Sequence, residues 1–139
     1  MKNLVTGLLS LFIVFSFSSC EKTQVIENYY PMPNKTFIYT VSSNAWTGAG
    51  NRISHQINLP ELTNYYLLQG GVAVAVSFDD ENSYDLLPAT IDGVSYSVNY
   101  GVGKVVLFAE DPIMESGITI NPPSSIQVKI ILSESDYVE

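Results

Sequence analysis

The chain has 139 residues, with 14 acidic and six basic side chains, one His, one Cys and one Trp. A single Cys and a single His exclude a zinc site built from several such ligands and a disulfide framework, and they confine any catalytic triad to His55. A net charge of −8 argues against nucleic acid, whose phosphates need a basic patch.

Residues 1–19 read as a signal peptide. Lys2 gives a positive start, residues 5–17 are mostly apolar, and Ser18 and Ser19 are small residues before Cys20. The apolar stretch falls short of the ~20 residues of a membrane-spanning helix. Phe17, Ser18, Ser19 and Cys20 together resemble the lipobox of bacterial lipoproteins, with Phe17 where that motif usually has Leu. The resemblance implies cleavage before Cys20 and acylation of its thiol. Two or three acyl chains hold a protein at a membrane where one is marginal. Cleavage removes Lys2 and no acid, leaving five basic against 14 acidic groups, a net charge of −9. Such a body is repelled by anionic head groups, so the lipid must supply the attachment.

Residues 20–34 read as the lipid-bearing Cys and a tether. Polar side chains dominate there, and Pro31 and Pro33 interrupt any regular element. Residues 35–133 read as one domain and residues 134–139 as an acidic tail. Within the domain the apolar period is two, as in half-buried strands. Residues 36–41 are rich in β-formers. Ile53, His55, Ile57 and Leu59 alternate with polar residues, as do Val94, Tyr96, Val98 and Tyr100. Val72, Val74, Val76 and Phe78 alternate with small ones, residues 105–108 are an apolar run, and Ile126, Val128, Ile130 and Leu132 alternate with Gln127 and Lys129. Gly and Asp-Gly turns separate these runs, and residues 100–104 spell a tight hairpin. Pro60, Glu61 and the later Gly70 predict a short helix over 60–68, with Asn58 as its N-cap. The expected fold class is all-β, a two-sheet antiparallel sandwich of about seven strands with that one helix; a closed barrel is the alternative.

His55 is the side chain expected to titrate near neutral pH, and it falls on the apolar face of its strand. It reads as a packed histidine with one hydrogen bond, or as a general base. Asp79, Asp80 and Asp85 lie in the densest acidic stretch, read as a solvated hairpin loop or, more weakly, as a calcium site. No other cofactor and no metal is expected. Carboxylate pairs could suggest glycoside hydrolysis, but 14 acids make some pair inevitable. Trp46 and Thr47 precede a Gly-rich turn, where Trp46 either closes one end of the core or offers its ring to a sugar or protein. Tyr65 and Tyr66 are adjacent on the expected helix and cannot face the same way.

Four segments together resemble small lipoproteins of Bacteroidota that carry a β-sandwich domain of uncharacterised function. They are residues 44–48 around Trp46, residues 57–63 with Pro60-Glu61-Leu62-Thr63, residues 70–74 led by Gly70-Gly71, and Leu86-Leu87-Pro88. The likeness runs over residues 36–132 plus the signal, and these motifs are structural. The resemblance implies a lipid-anchored β-sandwich in the cell envelope, at the outer membrane, and carries over no catalytic residue. The expected function is a non-enzymatic binding or assembly module for an envelope protein or a glycan, acting through Trp46, Thr47, Asp79, Asp80 and Asp85. Alternatives are a small hydrolase using His55 or a carboxylate pair, and a structural subunit of a surface polymer.

Overall fold

The computed structural model describes residues 34–135; the signal segment, Cys20, the tether to residue 33 and residues 136–139 lie outside the described residues. The described chain forms an antiparallel two-sheet sandwich. Its strands are β1 (Lys35–Ser42), β2 (Thr47–Ala49), β3 (Arg52–Asn58), β4 (Gly71–Ser77), β5 (Asp85–Leu86), β6 (Ala89–Ile91), β7 (Val94–Gly101), β8 (Lys104–Glu110) and β9 (Ser125–Ser133). One sheet has the order β1-β9-β4-β5, the other β2-β3-β8-β7-β6. The alternating runs of the sequence are the six long strands. The count exceeds the expected seven because β2, β5 and β6, at two or three residues each, are too short to show a period. Two separate sheets replace the barrel alternative.

Period-two alternation fills the core. Val41, Val74, Val76, Ile126, Val128, Ile130 and Leu132 face Ile53, Ile57, Tyr96, Val105, Leu107 and Ala109, all buried. Full burial of one such aliphatic side chain is worth about 1.5–3 kcal/mol. The continuous run in β8 divides between faces. Val105, Leu107 and Ala109 point in, while Phe108 lies outside under Arg52, whose Cζ stands 4.1 Å from the ring centroid. Arg52 also pairs with Glu110 at 3.2 Å.

The turns obey their chemistry. Asp92 and Gly93 both take positive φ in the two-residue β6–β7 turn, the pattern whose twist suits a hairpin. Val102 and Gly103 close β7–β8, as the sequence suggested. Gly48 has φ +106°, and an added Cβ would meet the Arg52 carbonyl oxygen at 2.9 Å, so β2 can lie this close to β3 with Gly there.

The helix, α1, is shorter than expected, Asn64–Leu68. Leu62 N–H donates to the Leu59 carbonyl and Thr63 N–H to that of Glu61, so tight turns occupy residues 59–63 and Thr63, not Asn58, is the N-cap. Leu59 and Leu62 are wholly buried and plug the end of the sandwich at which β1 begins. The Leu59 N–H reaches the Gly103 carbonyl at 2.9 Å, and the Gly103 N–H reaches that of Leu62 at 2.8 Å. Tyr66 is buried, while Tyr65 lies at the surface and exchanges hydrogen bonds with the Ser135 backbone at 3.0 and 3.1 Å. Residues 134–135 thus strap the chain's exit onto α1. The chain enters and leaves at this near end, and the turns after β1, β2, β4, β6 and β8 gather at the far end.

Candidate functional site

The far end is built from the five turns after β1, β2, β4, β6 and β8, with Trp46 and Ile120 buried beneath them. After β1, a single 3-10 turn (Ser43–Ala45) swings the chain into the second sheet and drops Trp46 into the core, where it is 8% exposed. Trp46 is therefore a core residue, not a contact residue, because this crossover has no other large side chain to fill the gap between the sheets' edges. Its Nε1–H finds no acceptor among the described residues. Thr47 Oγ1 donates to the Ser54 carbonyl at 3.1 Å and so braces the β2–β3 pair. His55 sits half-buried beside Trp46, with ring centroids 6.2 Å apart. Its Nδ1 lies 2.8 Å from the Ala45 carbonyl oxygen, which makes Nδ1 the donor of that bond. His55 thus ties β3 to the crossover.

Asp79, Asp80 and Asp85 belong to the β4–β5 hairpin, whose loop folds back over the outer face of its sheet. Ser77 and Ala75 point outward from β4 yet are buried by it, and Lys129 of β9 stands 3.4 Å from the Tyr84 ring centroid. Asp79 is the loop's internal cap. The Ser83 hydroxyl donates to it at 2.6 Å, the Ser83 N–H at 2.9 Å and the Ser77 hydroxyl at 2.8 Å. These bonds, the Ser83 hydroxyl first, hold its carboxyl down at about 2. The Glu81 N–H donates to Ser77 Oγ at 3.0 Å, which fixes the successive positive φ values of Asp80 and Glu81. Asp80 is exposed, and Asp85 is an exposed strand residue opposite Val76. Among the described residues no three His, Cys, Asp or Glu side chains come together to hold a metal ion.

The two halves of the expected contact surface are also apart. β1 and β2 are joined edges on one flank, β5 and β6 on the other, so Trp46 and the acidic loop are separated by three inter-strand spacings, roughly 14 Å.

Exposed apolar side chains at the far end lie in the β8–β9 loop of residues 111–124 and at Phe78 beside the acidic loop. Ile113 is 77% exposed, Met114 48% and Ile118 40%. The β8–β9 loop is pinned on both sides. The Asp111 N–H donates to the Asn51 carbonyl at 2.9 Å and the Ile120 N–H to that of Gly50 at 2.8 Å, with Ile120 buried as a peg. Asp111 Oδ2 accepts the Glu115 N–H at 2.8 Å, closing a turn in which Met114 has φ 55°. Sequence reading missed these residues. The available signal was three large apolar side chains within a Pro- and Gly-bearing stretch that fits no period, so none could face a strand's core side.

Comparison of the chain with protein-family models, with curated proteins and with solved structures gives no match.

Two outcomes follow for the residues first singled out. Trp46→Ala should lower unfolding stability by about 3–5 kcal/mol, as for other buried aromatics. Trp46→Phe should lose much less, since it keeps a ring and removes an unpartnered N–H; urea unfolding of both variants checks this. For Asp79 the folded state holds the carboxyl below its ordinary 3.8, so its stabilisation is complete above pH 3.8 and is lost as pH falls towards about 2. The gap in unfolding midpoint between the native chain and Asp79→Asn should stay constant above that range and close within it.

Proposed function

We propose that the chain is a lipid-anchored, non-enzymatic binding module of the bacterial envelope, held at the outer membrane through acylated Cys20, whose far-end β8–β9 loop engages another envelope protein. The observation that carries this reading is the pinned loop presenting Ile113, Met114 and Ile118 to solvent. Three large apolar side chains exposed on one braced loop suit an interaction surface, since leaving them in water forfeits the free energy of burial. Bracing also lowers the conformational entropy lost when a partner closes over it. The exposed side chains of this loop are Ile and Met with no aromatic ring among them, which favours a protein pocket over a glycan, whose rings stack on aromatic faces. Among the described residues no nucleophilic side chain is hydrogen-bonded to His55, whose one bond goes to the Ala45 carbonyl, and this supports a non-enzymatic reading. Within the described residues, β1 begins at the near end and the β8–β9 loop lies at the opposite end of the sandwich.

Two measurements test the proposal. Growth with labelled palmitate should label the native chain, and Cys20→Ser should abolish the label; a labelled Cys20→Ser chain would refute the anchor. The native chain, solubilised in mild detergent and immobilised, should retain an envelope protein that is lost with Ile113→Ser plus Ile118→Ser and kept with Asp80→Asn plus Asp85→Asn. The reverse pattern would return the contact to the acidic loop. The structural-subunit alternative draws on one observation of its own, the edge of β1, which among the described residues pairs with β9 alone.

A further inference from the structure

Among the described residues four strands form sheet edges. Three are two or three residues long, the length to which natural sheets trim an edge against unwanted pairing. The fourth, β1, runs for eight residues, Lys35–Ser42, paired with β9 alone. It carries no proline, no bulge in its register with β9, and no charge between Thr36 and Ser42. The rest of the chain is acidic enough to repel its own copies, and this strip is not.

The hydrogen-bonding phase of the free edge can be read from its partner. The Ser43 N–H donates to the Ser124 carbonyl at 3.2 Å, in line with the β1–β9 register. Bonded pairs alternate along an antiparallel ladder, so the odd-numbered residues of β1 turn their peptide groups to β9. Thr36, Ile38, Thr40 and Ser42 then turn theirs to the open side. The same residues put their side chains on the outer face, where Ile38 is 48% exposed.

We propose that β1 is a self-pairing edge: two copies of this chain join β1 to β1 antiparallel about a two-fold axis through Ile38. Opposed residues must share a face, which allows Ile38 to meet Ile38 of the second copy and Thr36 to meet Thr40. The bonding groups of all three face outward, so this register satisfies the free peptide groups of the seam. It also covers the exposed Ile38 with its own counterpart, flanked by Thr on both sides. The short β2 strands lie beside one end of each β1, at residues 52–54 of β3, and the two-fold axis sends them to opposite ends of the seam. An interface symmetric in this way closes at two copies. One strand against another is narrow beside the ~1,200–2,000 Å² that stable interfaces bury, so the pair forms where copies are concentrated, as on a shared membrane. The pairing itself does not rest on the proposed partner loop.

Cysteine crosslinking in the full chain, in its native membrane, tests the register. Facing Cα atoms of a bonded pair lie ~5.5 Å apart, within disulfide reach. Ile38→Cys should give disulfide dimer several-fold above the native chain, whose single cysteine is Cys20. Thr36→Cys alone should stay at background, because its two copies would stand roughly 14 Å apart along the seam. Co-expressed Thr36→Cys and Thr40→Cys chains should crosslink to each other. No dimer at position 38, or equal yields at 36, 38 and 40, would overturn the proposal. All three side chains point to solvent, and resistance to protease reports that each variant keeps the fold.

Discussion

Strand β9 is the constraint on which this fold depends. It pairs with β1 over eight residues on one side and with β4 over seven on the other, and Ile126, Val128, Ile130 and Leu132 are all buried beneath it. Without it β1 has no partner and β4 has a two-residue strand. Yet β9 comes last among the strands, and its register sets Lys35 opposite Leu132. The first sheet therefore cannot close until the domain's end is available, and pairing across so long a separation is costly in loop entropy and slow. In the second sheet β6, β7 and β8 are near neighbours joined by two-residue turns, while β3 reaches β8 across the middle of the chain. Placing β9 in the middle also leaves β1 paired on one side alone among the described residues, so the longest edge strand there is the first.

Much of this architecture was legible in the residues. The valines of β4 and the isoleucines of β9 declare their buried face by alternation, and Asp92-Gly93 and Val102-Gly103 declare the hairpins. What stayed hidden has physical reasons. β5 is two residues whose pairing depends on β4 and not on any pattern of their own. Pro60 and Glu61 looked like a helix start, but burial of Leu59 and Leu62 bends the chain into turns first and delays α1 to Asn64. Trp46 and Asp79 attracted attention as chemically rich side chains in turns. Their roles are decided by surroundings that only tertiary structure supplies: an unfilled gap for the indole, three donors for the carboxylate.

The sandwich is polar along its length. At the near end Leu59, Leu62 and Tyr66 seal the core, and residues 134–135 are fastened to α1 by the Tyr65 hydroxyl and the Gln69 carbonyl. At the far end the loops are fastened to each other, Asn51 and Gly50 holding the β8–β9 loop through backbone bonds. The acidic character of the chain, −8 in all, discourages adhesion to anionic surfaces.

The most direct measurement places a photoreactive amino acid at position 113 of the full chain in living cells, and a second at position 80. The account predicts that illumination joins the chain from position 113 to one defined envelope protein, while position 80, on the solvated acidic loop, yields none. A product from position 80 and none from 113 would contradict it, and so would the absence of any product from either position.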